Sequence, residues 1–398
     1  MATVNPLSGA APAPAGSDSR LLVLLPSLAQ EQLPGFLSKL AACVPSGDLL
    51  IATSNDGAKA DHPDLHIVPA DPTRPSWTVT AADFVNAVQL AQEHQATAVL
   101  VLGQECDSLT PESLCQLAGA TADPGNDLIM PRYELPPRAG LVNSSILYPL
   151  SRALFASPVR FPLAPDLGLS LHMAERLSGA AQRLVKLNQP GAFLWPVCEA
   201  ATSGSAIHEV EVGSRAMPQP AEPDLNVILP LVTSSLFNEI EAKAAFWQRA
   251  RPIPPERLRR VTPQIASSDG VRDTAPMLQA FRLAYTNLLE IWSLVLPPNS
   301  LLGLKRLSIT DGAAFKMPDT LWARIIFDFL LAYRLRTINR GHLLGALIPL
   351  YLAWVASHIN ITAAETSPEQ HIEAVASAFV AEKPYLLARW RWPDRFNP

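Results

Sequence analysis

The sequence predicts an α/β protein with a mostly parallel sheet flanked by helices and an α-helical carboxy-terminal region. Short apolar runs alternate with helical patterns in the first part of the chain, which is typical of β-α-β units. Beyond Pro223, long amphipathic patterns replace the apolar runs. Because a helix between consecutive strands brings the chain back to its starting edge, we expect parallel strands with helices on both faces.

The predicted elements divide the chain into three parts. Strands are predicted at residues 20–26 (RLLVLLP), 48–53 (DLLIAT), 96–102 (ATAVLVL) and 127–131 (DLIMP), with helices at residues 31–42, 81–94, 110–117, 147–156 and 174–187. Further helices are predicted at residues 225–249, 275–296, 321–337, 343–359 and 368–390. The parts are a flexible tail at residues 1–19, a sheet domain at residues 20–222 and a helical domain at residues 223–398.

Composition narrows the class of protein. The 398 residues are 48% hydrophobic and 17% charged, which allows a large buried core. The formal charge of −5 comes from interspersed signs, so no surface for nucleic acid is expected. No secretion signal is expected in residues 1–19, which lack a basic patch before an apolar run. Cysteines without a CxxC pair predict reduced thiols in a cytoplasmic protein; they are Cys43, Cys106, Cys115 and Cys198.

Residues 343–361 (LLGALIPLYLAWVASHINI) are long and apolar enough to suggest a membrane span. Pro349, His358 and Asn360 interrupt this stretch, which lies within a helical region. We therefore expect a buried core helix and no membrane association.

Several motifs in chain order resemble one group of enzymes. Residues 143–169 (NSSILYPLSRALFASPVRFPLAPDLGL) contain a tyrosine-proline-leucine helix followed by a proline-rich segment with one acidic residue. Other matching segments are residues 108–112 (SLTPE), 191–195 (GAFLW), 317–322 (MPDTLW), 349–352 (PLYL) and 382–386 (EKPYL). Together they resemble bacterial glycosyltransferases similar to mannosylglycerate synthase and glucosyl-3-phosphoglycerate synthase, over almost the whole chain.

This resemblance implies a Rossmann-like GT-A sheet that binds a nucleotide diphosphate sugar of the UDP or GDP type. It implies transfer of the sugar to a small acceptor with retention at the anomeric carbon. It also implies Mg²⁺ or Mn²⁺, because the departing diphosphate gathers negative charge and hard cations prefer oxygen ligands. In such sheets, ligands bind beyond the carboxyl ends of the strands.

The metal-binding motif is degenerate in this chain. The Asp-x-Asp pair of the resemblance falls on Gly103, Gln104 and Glu105, so Glu105 is the remaining candidate metal ligand. Met217 stands at the position of the metal-binding histidine, and His208 lies nine residues earlier. The alternatives are a solvated loop residue for Glu105 and a structural histidine for His208.

Asp166 is the candidate catalytic residue, because it alone keeps acidic character within residues 162–167 (PLAPDL). The resemblance implies that Asp166 orients the acceptor hydroxyl or stabilises the positive sugar ring in the transition state. The alternative is an aspartate that caps a turn.

Donor and acceptor sites are carried over from the same resemblance. The donor candidates are Pro26, Ser27, Glu31, Asp56, Gln104, Glu105 and Arg215. The acceptor candidates are Arg132, Tyr133, Arg138 and Asn143. The positive charge of the two arginines suits an anionic acceptor such as a glycerate. In a metal-free site, Arg215 together with Arg132 or Arg138 is expected to neutralise the diphosphate, since a guanidinium meets two phosphate oxygens at once. Solvated arginines are the alternative.

Two functions are compatible with these residues. One is sugar transfer by an altered, metal-independent site. The other is a catalytically inactive homologue that acts by binding or regulation, as a homo-oligomer or as the partner of an active glycosyltransferase. The loss of several catalytic positions favours the second. No Gly-x-Ser-x-Gly nucleophile motif supports a hydrolase.

Overall fold

The computed structural model describes residues 20–45, 47–54, 65–74, 76–220, 224–253, 273–363 and 366–392. Within these residues, seven strands form one sheet in the order β3-β2-β1-β4-β6-β5-β7. The strands are β1 (Leu21–Leu25), β2 (Leu49–Thr53), β3 (His66–Pro69), β4 (Ala98–Val101), β5 (Leu128–Glu134), β6 (Leu167–Ser170) and β7 (Ile207–Ser214). Strands β1 to β4 are parallel, as are β5 and β7, so the predicted mostly parallel sheet is confirmed.

Strand β6 is the exception, because it pairs antiparallel with both β4 and β5. The start of β6 therefore lies at the same sheet edge as the carboxyl ends of β4, β5 and β7. This reversal, which the sequence did not predict, brings the residue before β6 next to the residues that follow the other strands.

Six helices belong to the sheet half of the described chain: α1 (Leu33–Ala41), α2 (Ala81–Glu93), α3 (Pro111–Ala122), α4 (Tyr148–Phe155), α5 (Leu171–Lys186) and α6 (Pro196–Ser203). Helix α3 begins where predicted, because the Thr110 side chain accepts a hydrogen bond from Ser113 N and Pro111 occupies the first turn.

The carboxy-terminal region is helical, as predicted. Its described helices are α7 (Leu225–Ala242), α8 (Ala244–Trp247), α9 (Ala275–Asn287), α10 (Leu289–Val295), α11 (Pro298–Ser308), α12 (Asp319–Leu335), α13 (Arg340–Thr362) and α14 (Pro368–Arg391). Helix α13 has the length and apolarity of a membrane span, but 67% of its most apolar window is buried inside the protein. This burial agrees with the expected core helix.

Two large apolar cores lie in the described chain, one around the sheet and one among the helices, with a small third cluster of Tyr148, Ile372 and Ala376. The second core contains fully buried tryptophans, among them Trp322 and Trp354. Helix α4 and Trp195 also contribute to it, although both precede residue 222. The sheet and the helical region therefore share α4, and the predicted domain boundary stays a prediction.

The cysteines correct one expectation. Cys43 and Cys115 form a disulfide across 72 residues, so the prediction of reduced thiols is wrong for this pair. Cys106 and Cys198 are free and buried, and burial raises the pKa of both thiols. Sequence spacing gave no sign of the pair, because α1 and α3 come together only when β1 and β4 pair in the sheet.

Strand β6 packs closely against α3 because Gly168 lacks a side chain. A Cβ at Gly168 would lie 2.0 Å from Thr121 Oγ1 and 2.9 Å from Ile129 Cβ. Thr121 cannot turn away without losing the hydrogen bond that it donates to Leu117 O at 2.7 Å.

We predict that Gly168→Ala lowers the free energy of unfolding by about 1–3 kcal/mol or more, because the added methyl overpacks this crossing. The matched control is Gly179→Ala in α5, where a Cβ meets no atom within 4 Å. That variant should gain up to about 1 kcal/mol from helix propensity. Urea unfolding of both variants checks the prediction, and equal stabilities would contradict the described packing.

A buried histidine pair joins three helices of the carboxy-terminal region. His358 Nδ1 on α13 lies 2.7 Å from His371 Nδ1 on α14, and His371 Nε2 lies 3.2 Å from Asp319 Oδ1 on α12. Burial, followed by the charge of His371, lowers the pKa of His358 to about 3. His358 therefore stays neutral in the folded protein over most of the acid range.

Acid should destabilise the protein through His358. Its unfolded pKa is about 6.5, so the unfolded chain binds a proton that the folded chain refuses between pH 6.5 and about 3. The stabilisation is present above pH 6.5 and is lost as the pH falls, by up to about 1.4 kcal/mol per pH unit. We predict that His358→Gln flattens this dependence in urea unfolding between pH 7 and pH 4.5. Substitution of the exposed His342 on the same helix should leave the slope unchanged.

Candidate functional site

A buried ion pair lies at the carboxyl edge of the sheet. Asp166 immediately precedes β6, and Arg215 immediately follows β7. Arg215 Nε lies 2.6 Å from Asp166 Oδ2, and Arg215 Nη2 donates to Asp166 Oδ1 at 2.8 Å. Both side chains are 0% exposed. Nη2 makes the hydrogen bond of this pair, whereas Nε makes a close charge contact without a hydrogen bond.

Each partner of the pair makes further hydrogen bonds. Asp166 accepts from Gly103 N at 3.1 Å and from the Tyr133 hydroxyl at 2.9 Å. Arg215 donates from Nη2 to Gln104 O at 2.7 Å. The pair therefore ties β6 and β7 to the residues after β4 and to β5. Both oxygens of Asp166 are occupied by protein donors.

The charges within this cluster are balanced. Burial alone would lower the pKa of the Arg215 guanidinium, but the charge of Asp166 raises it above its ordinary value. Burial and the charge of Asp166 raise the pKa of Tyr133. Burial and Asp166 also raise the pKa of the adjacent Cys106 thiol. Arg215 is thus a permanent cation, whereas Tyr133 and Cys106 remain protonated and cannot act as nucleophiles.

The predicted metal ligands do not form a metal site. Glu105 has a left-handed backbone with φ 60° and an exposed side chain. The nearby carboxylate of Asp107 is also not available to a metal ion, because its Oδ2 accepts a hydrogen bond from Gln32 Nε2 at 3.0 Å. Met217 packs against the sheet core, and His208 lies exposed on β7. Among the described residues, no group of three or more His, Cys, Asp or Glu side chains is arranged to hold a metal ion.

Gly103, at the position of the first carboxylate of the Asp-x-Asp pair, has no room for a side chain. A Cβ at Gly103 would lie 2.8 Å from Pro165 O and 3.1 Å from Pro165 Cβ. The end of β4 therefore packs directly on the turn that carries Asp166. An aspartate at residue 103 would displace that turn, so the residues present do not fit a divalent cation.

The donor candidates that the structure describes, other than Glu105 and Arg215, follow β1 and β4 at the same edge of the sheet. Pro26 and Ser27 follow β1 and are half-buried, and Glu31 is exposed. Gln104 is half-buried, and its carbonyl is bound to Arg215. Asp56 lies outside the described residues, so its predicted role stays a prediction.

Two acceptor candidates, Arg132 and Asn143, come together where Arg160 meets Glu369, whereas Tyr133 does not join them. Tyr133 turns inward to Asp166, whereas Arg132 lies 3.5 Å from Glu209 and 3.6 Å from Glu369. Asn143 Nδ2 donates to the main-chain oxygen of Arg160 at 2.9 Å. Arg138 is half-buried in the loop between β5 and α4.

Sequence reasoning missed Arg160, which joins the sheet half to α14. Arg160 Nη2 donates to Ser144 Oγ at 2.9 Å and to Glu369 Oε1 at 3.1 Å, and its guanidinium lies over the rings of Tyr148 and Phe161. The partner Glu369 is 209 residues away in the chain, so no local pattern could reveal the contact.

A small cavity lies beside this edge, between the turn at residues 162–167 and α2. Its volume is about 10 Å³, which is room for about one water molecule. Its lining is mainly apolar and includes Val79, Phe84, Met130, Leu163 and Leu194. The cavity is part of the packing and is too small to hold a nucleotide or a sugar.

No protein-family model matches the sequence, and no curated protein matches it. Two solved structures illustrate the similarities that were found. Glucosyl-3-phosphoglycerate synthase from Mycobacterium tuberculosis, in complex with Mn²⁺, UDP and glucosyl-3-phosphoglycerate, matches with 16% identity and a TM-score of 0.36 over 59% of this chain and 88% of that chain. Mannosyl-3-phosphoglycerate synthase from Rubrobacter xylanophilus matches with 15% identity and a TM-score of 0.39 over 60% of this chain and 79% of that chain. The first of these is one of the enzymes that the sequence motifs resemble; likenesses at this level carry no argument about ligands or activity.

We predict that Arg215→Met lowers the free energy of unfolding by about 3–5 kcal/mol, because it leaves the Asp166 carboxylate buried and uncompensated. Asp166→Asn should cost a similar amount, since it leaves the permanently charged Arg215 guanidinium buried without a counter-ion. The double variant should lose less unfolding free energy than the two single variants lose in sum, because neither charge is then buried without its partner. Denaturant unfolding of the three variants measures this coupling, and strict additivity would contradict the pair. The exposed Arg183→Met serves as control and should stay within about 0.5 kcal/mol of the parent.

Proposed function

We propose that this chain is a glycosyltransferase-like protein that binds a nucleotide diphosphate sugar and acts by binding, without metal-dependent sugar transfer. The observation that carries the proposal is the Arg215 guanidinium, which is buried at the carboxyl edge of the sheet and bonded to Asp166 and to Gln104 O. By the sequence resemblance, this edge is where a donor diphosphate and its metal ion would lie. A protein cation stands there in place of a metal ion.

The charge of Arg215 is not available to a diphosphate. A guanidinium that neutralises phosphate must present free N–H groups to solvent, whereas Nη1, Nη2 and Nε of Arg215 all face protein oxygens. Arg132, one of the two candidates, with Arg138, for the second cation of a metal-free site, lies between two glutamates. Both features weigh against metal-independent transfer as the function.

Asp166 is likewise unsuited to the catalytic role expected from the sequence. A carboxylate that stabilises a positive sugar ring must face the reacting carbon, and a charge already paired with Arg215 gives little further stabilisation. Asp166 has no exposed surface and lies behind the Pro165 turn. It acts in this proposal as a structural anchor.

Binding remains compatible with the geometry of the edge. The residues after β1 and β4 include half-buried Ser27 and exposed Glu31 and Glu105, which are hydrogen-bond acceptors of the kind that ribose hydroxyls and a base require. Parallel sheets place such residues at the edge where nucleotides bind. We infer that UDP- or GDP-type compounds bind here and that the complex serves as partner or regulator of an active glycosyltransferase.

We predict that UDP or GDP raises the melting temperature of the protein equally in EDTA and in Mn²⁺, because the described residues form no carboxylate group that recruits the metal. With the protein present, cleavage of UDP-glucose to UDP and of GDP-mannose to GDP should be no faster than in buffer alone. Mass spectrometry of the donor after prolonged incubation measures this turnover.

The controls separate binding from catalysis. Glu105→Gln should leave the nucleotide shift the same in EDTA and in Mn²⁺, and Gly103→Asp should destabilise the fold without creating a Mn²⁺ requirement. Donor turnover that EDTA abolishes would overturn the proposal. If no UDP or GDP compound shifts the melting temperature, the claim that nucleotides bind is wrong, whereas the claim that metal-dependent transfer is lost still stands.

A further inference from the structure

We propose that Cys43 and Cys115 form a reversible redox link that sets how firmly the loop at residues 103–109 is held. Cys43 lies two residues beyond the end of α1, and Cys115 lies in α3, the helix that follows this loop. Both cysteines are half-buried and not fully enclosed, so a small dithiol can approach them. The bond therefore joins the helix after β1 to the helix after β4.

The loop has an inner and an outer attachment. On the inner side, Arg215 binds Gln104 O and Asp166 binds Gly103 N. On the outer side, polar contacts come from α1: Lys39 Nζ donates to Asp107 O at 2.7 Å, and Gln32 Nε2 donates to the Asp107 carboxylate.

The outer polar contacts are noncovalent. Gln32 and Asp107 meet at the surface, where water competes for the same hydrogen bond. The Lys39 ammonium donates to Asp107 O and, at 3.3 Å, to Leu109 O, and both contacts are only partly buried. The covalent Cys43–Cys115 bond is consequently the strongest outer attachment, and breaking it leaves the loop held mainly from the inside.

In the reduced state, the Cys43 thiol also has main-chain oxygens to which it can donate a hydrogen bond. Cys43 Sγ lies 3.2 Å from Lys39 O and 3.7 Å from Pro111 O, so a thiol formed there finds an acceptor without movement of α1. A pair whose two oxidation states are both accommodated by the fold is suited to interconversion. The core contacts of Phe36, Leu37 and Leu40 keep α1 on the sheet in both states.

The chemistry is thiol–disulfide exchange with a dithiol reductant. A thiolate of the dithiol attacks one sulfur of the Cys43–Cys115 bond and forms a mixed disulfide. The second thiol of the reductant then displaces the protein sulfur, which leaves two protein thiols and an oxidised dithiol. Two electrons and two protons pass to the protein.

Hydrogen–deuterium exchange tests the link directly. The backbone amides of Gly103, Ser108 and Leu109 are hydrogen-bonded within this loop region, and peptides that contain them report its opening. We expect exchange at residues 103–109 to be at least tenfold faster in dithiothreitol-reduced protein than in oxidised protein. Peptides from β5 and β7 should be unchanged.

The Cys43→Ser, Cys115→Ser double variant is the matched control. It should exchange like the reduced protein and should not respond to dithiothreitol. Equal exchange at residues 103–109 in both states would overturn the proposal, as would a bond that dithiothreitol reduces only in denaturant.

A second measurement rests on the proposed function. If the loop helps to bind a nucleotide, reduction should weaken the UDP- or GDP-induced melting shift at least threefold. If neither nucleotide binds in either state, the proposed function fails, whereas the exchange measurement still decides the redox link.

Discussion

The buried ion pair between Asp166 and Arg215 organises the carboxyl edge of the sheet. The pair or its hydrogen bonds contact four of the strands that meet at this edge: Asp166 precedes β6, Arg215 follows β7, Tyr133 belongs to β5, and Gly103 follows β4. A buried pair is costly to desolvate and is tolerated only when its remaining hydrogen-bonding groups are satisfied. Here the surrounding main chain and Tyr133 bond both Asp166 oxygens and the Nη1 and Nη2 groups of Arg215, so the edge is held in one arrangement.

The same pair explains why the edge is poorly suited to a divalent cation. A metal site needs carboxylates whose charge is free, but the central carboxylate is neutralised from within by a guanidinium. Steric closure at Gly103 against Pro165 acts in the same direction, because it leaves no room for the carboxylate that a metal would require. Charge balance and close packing thus follow from one local arrangement.

Much of the architecture was predictable from local patterns. Strands β1, β2 and β4 are uninterrupted apolar runs, and the long helices of the carboxy-terminal region have clear periodicity. Strands β3 and β6 escaped prediction because neither is an apolar run: His66 and Pro69 at the ends of β3 are exposed, and β6 includes Gly168, which weakens any strand pattern. The reversal of β6 depends on tertiary pairing that no short window contains.

The candidate site was predictable in its residues but not in their roles. Asp166 and Arg215 were both recognised, yet their contact spans 49 residues and depends on the antiparallel β6. The disulfide and the Arg160 contacts were missed for the same reason, since each joins segments that only the folded sheet brings together.

The central claim is that a protein cation occupies the place of a metal ion. Anomalous diffraction at the manganese absorption edge, from crystals grown with Mn²⁺ and UDP, tests it most directly. The account predicts no manganese peak within coordination distance of Glu105 or Asp166, with the Arg215 guanidinium still on the Asp166 carboxylate. A manganese ion bound to Glu105 with Asp166 released from Arg215 would contradict it.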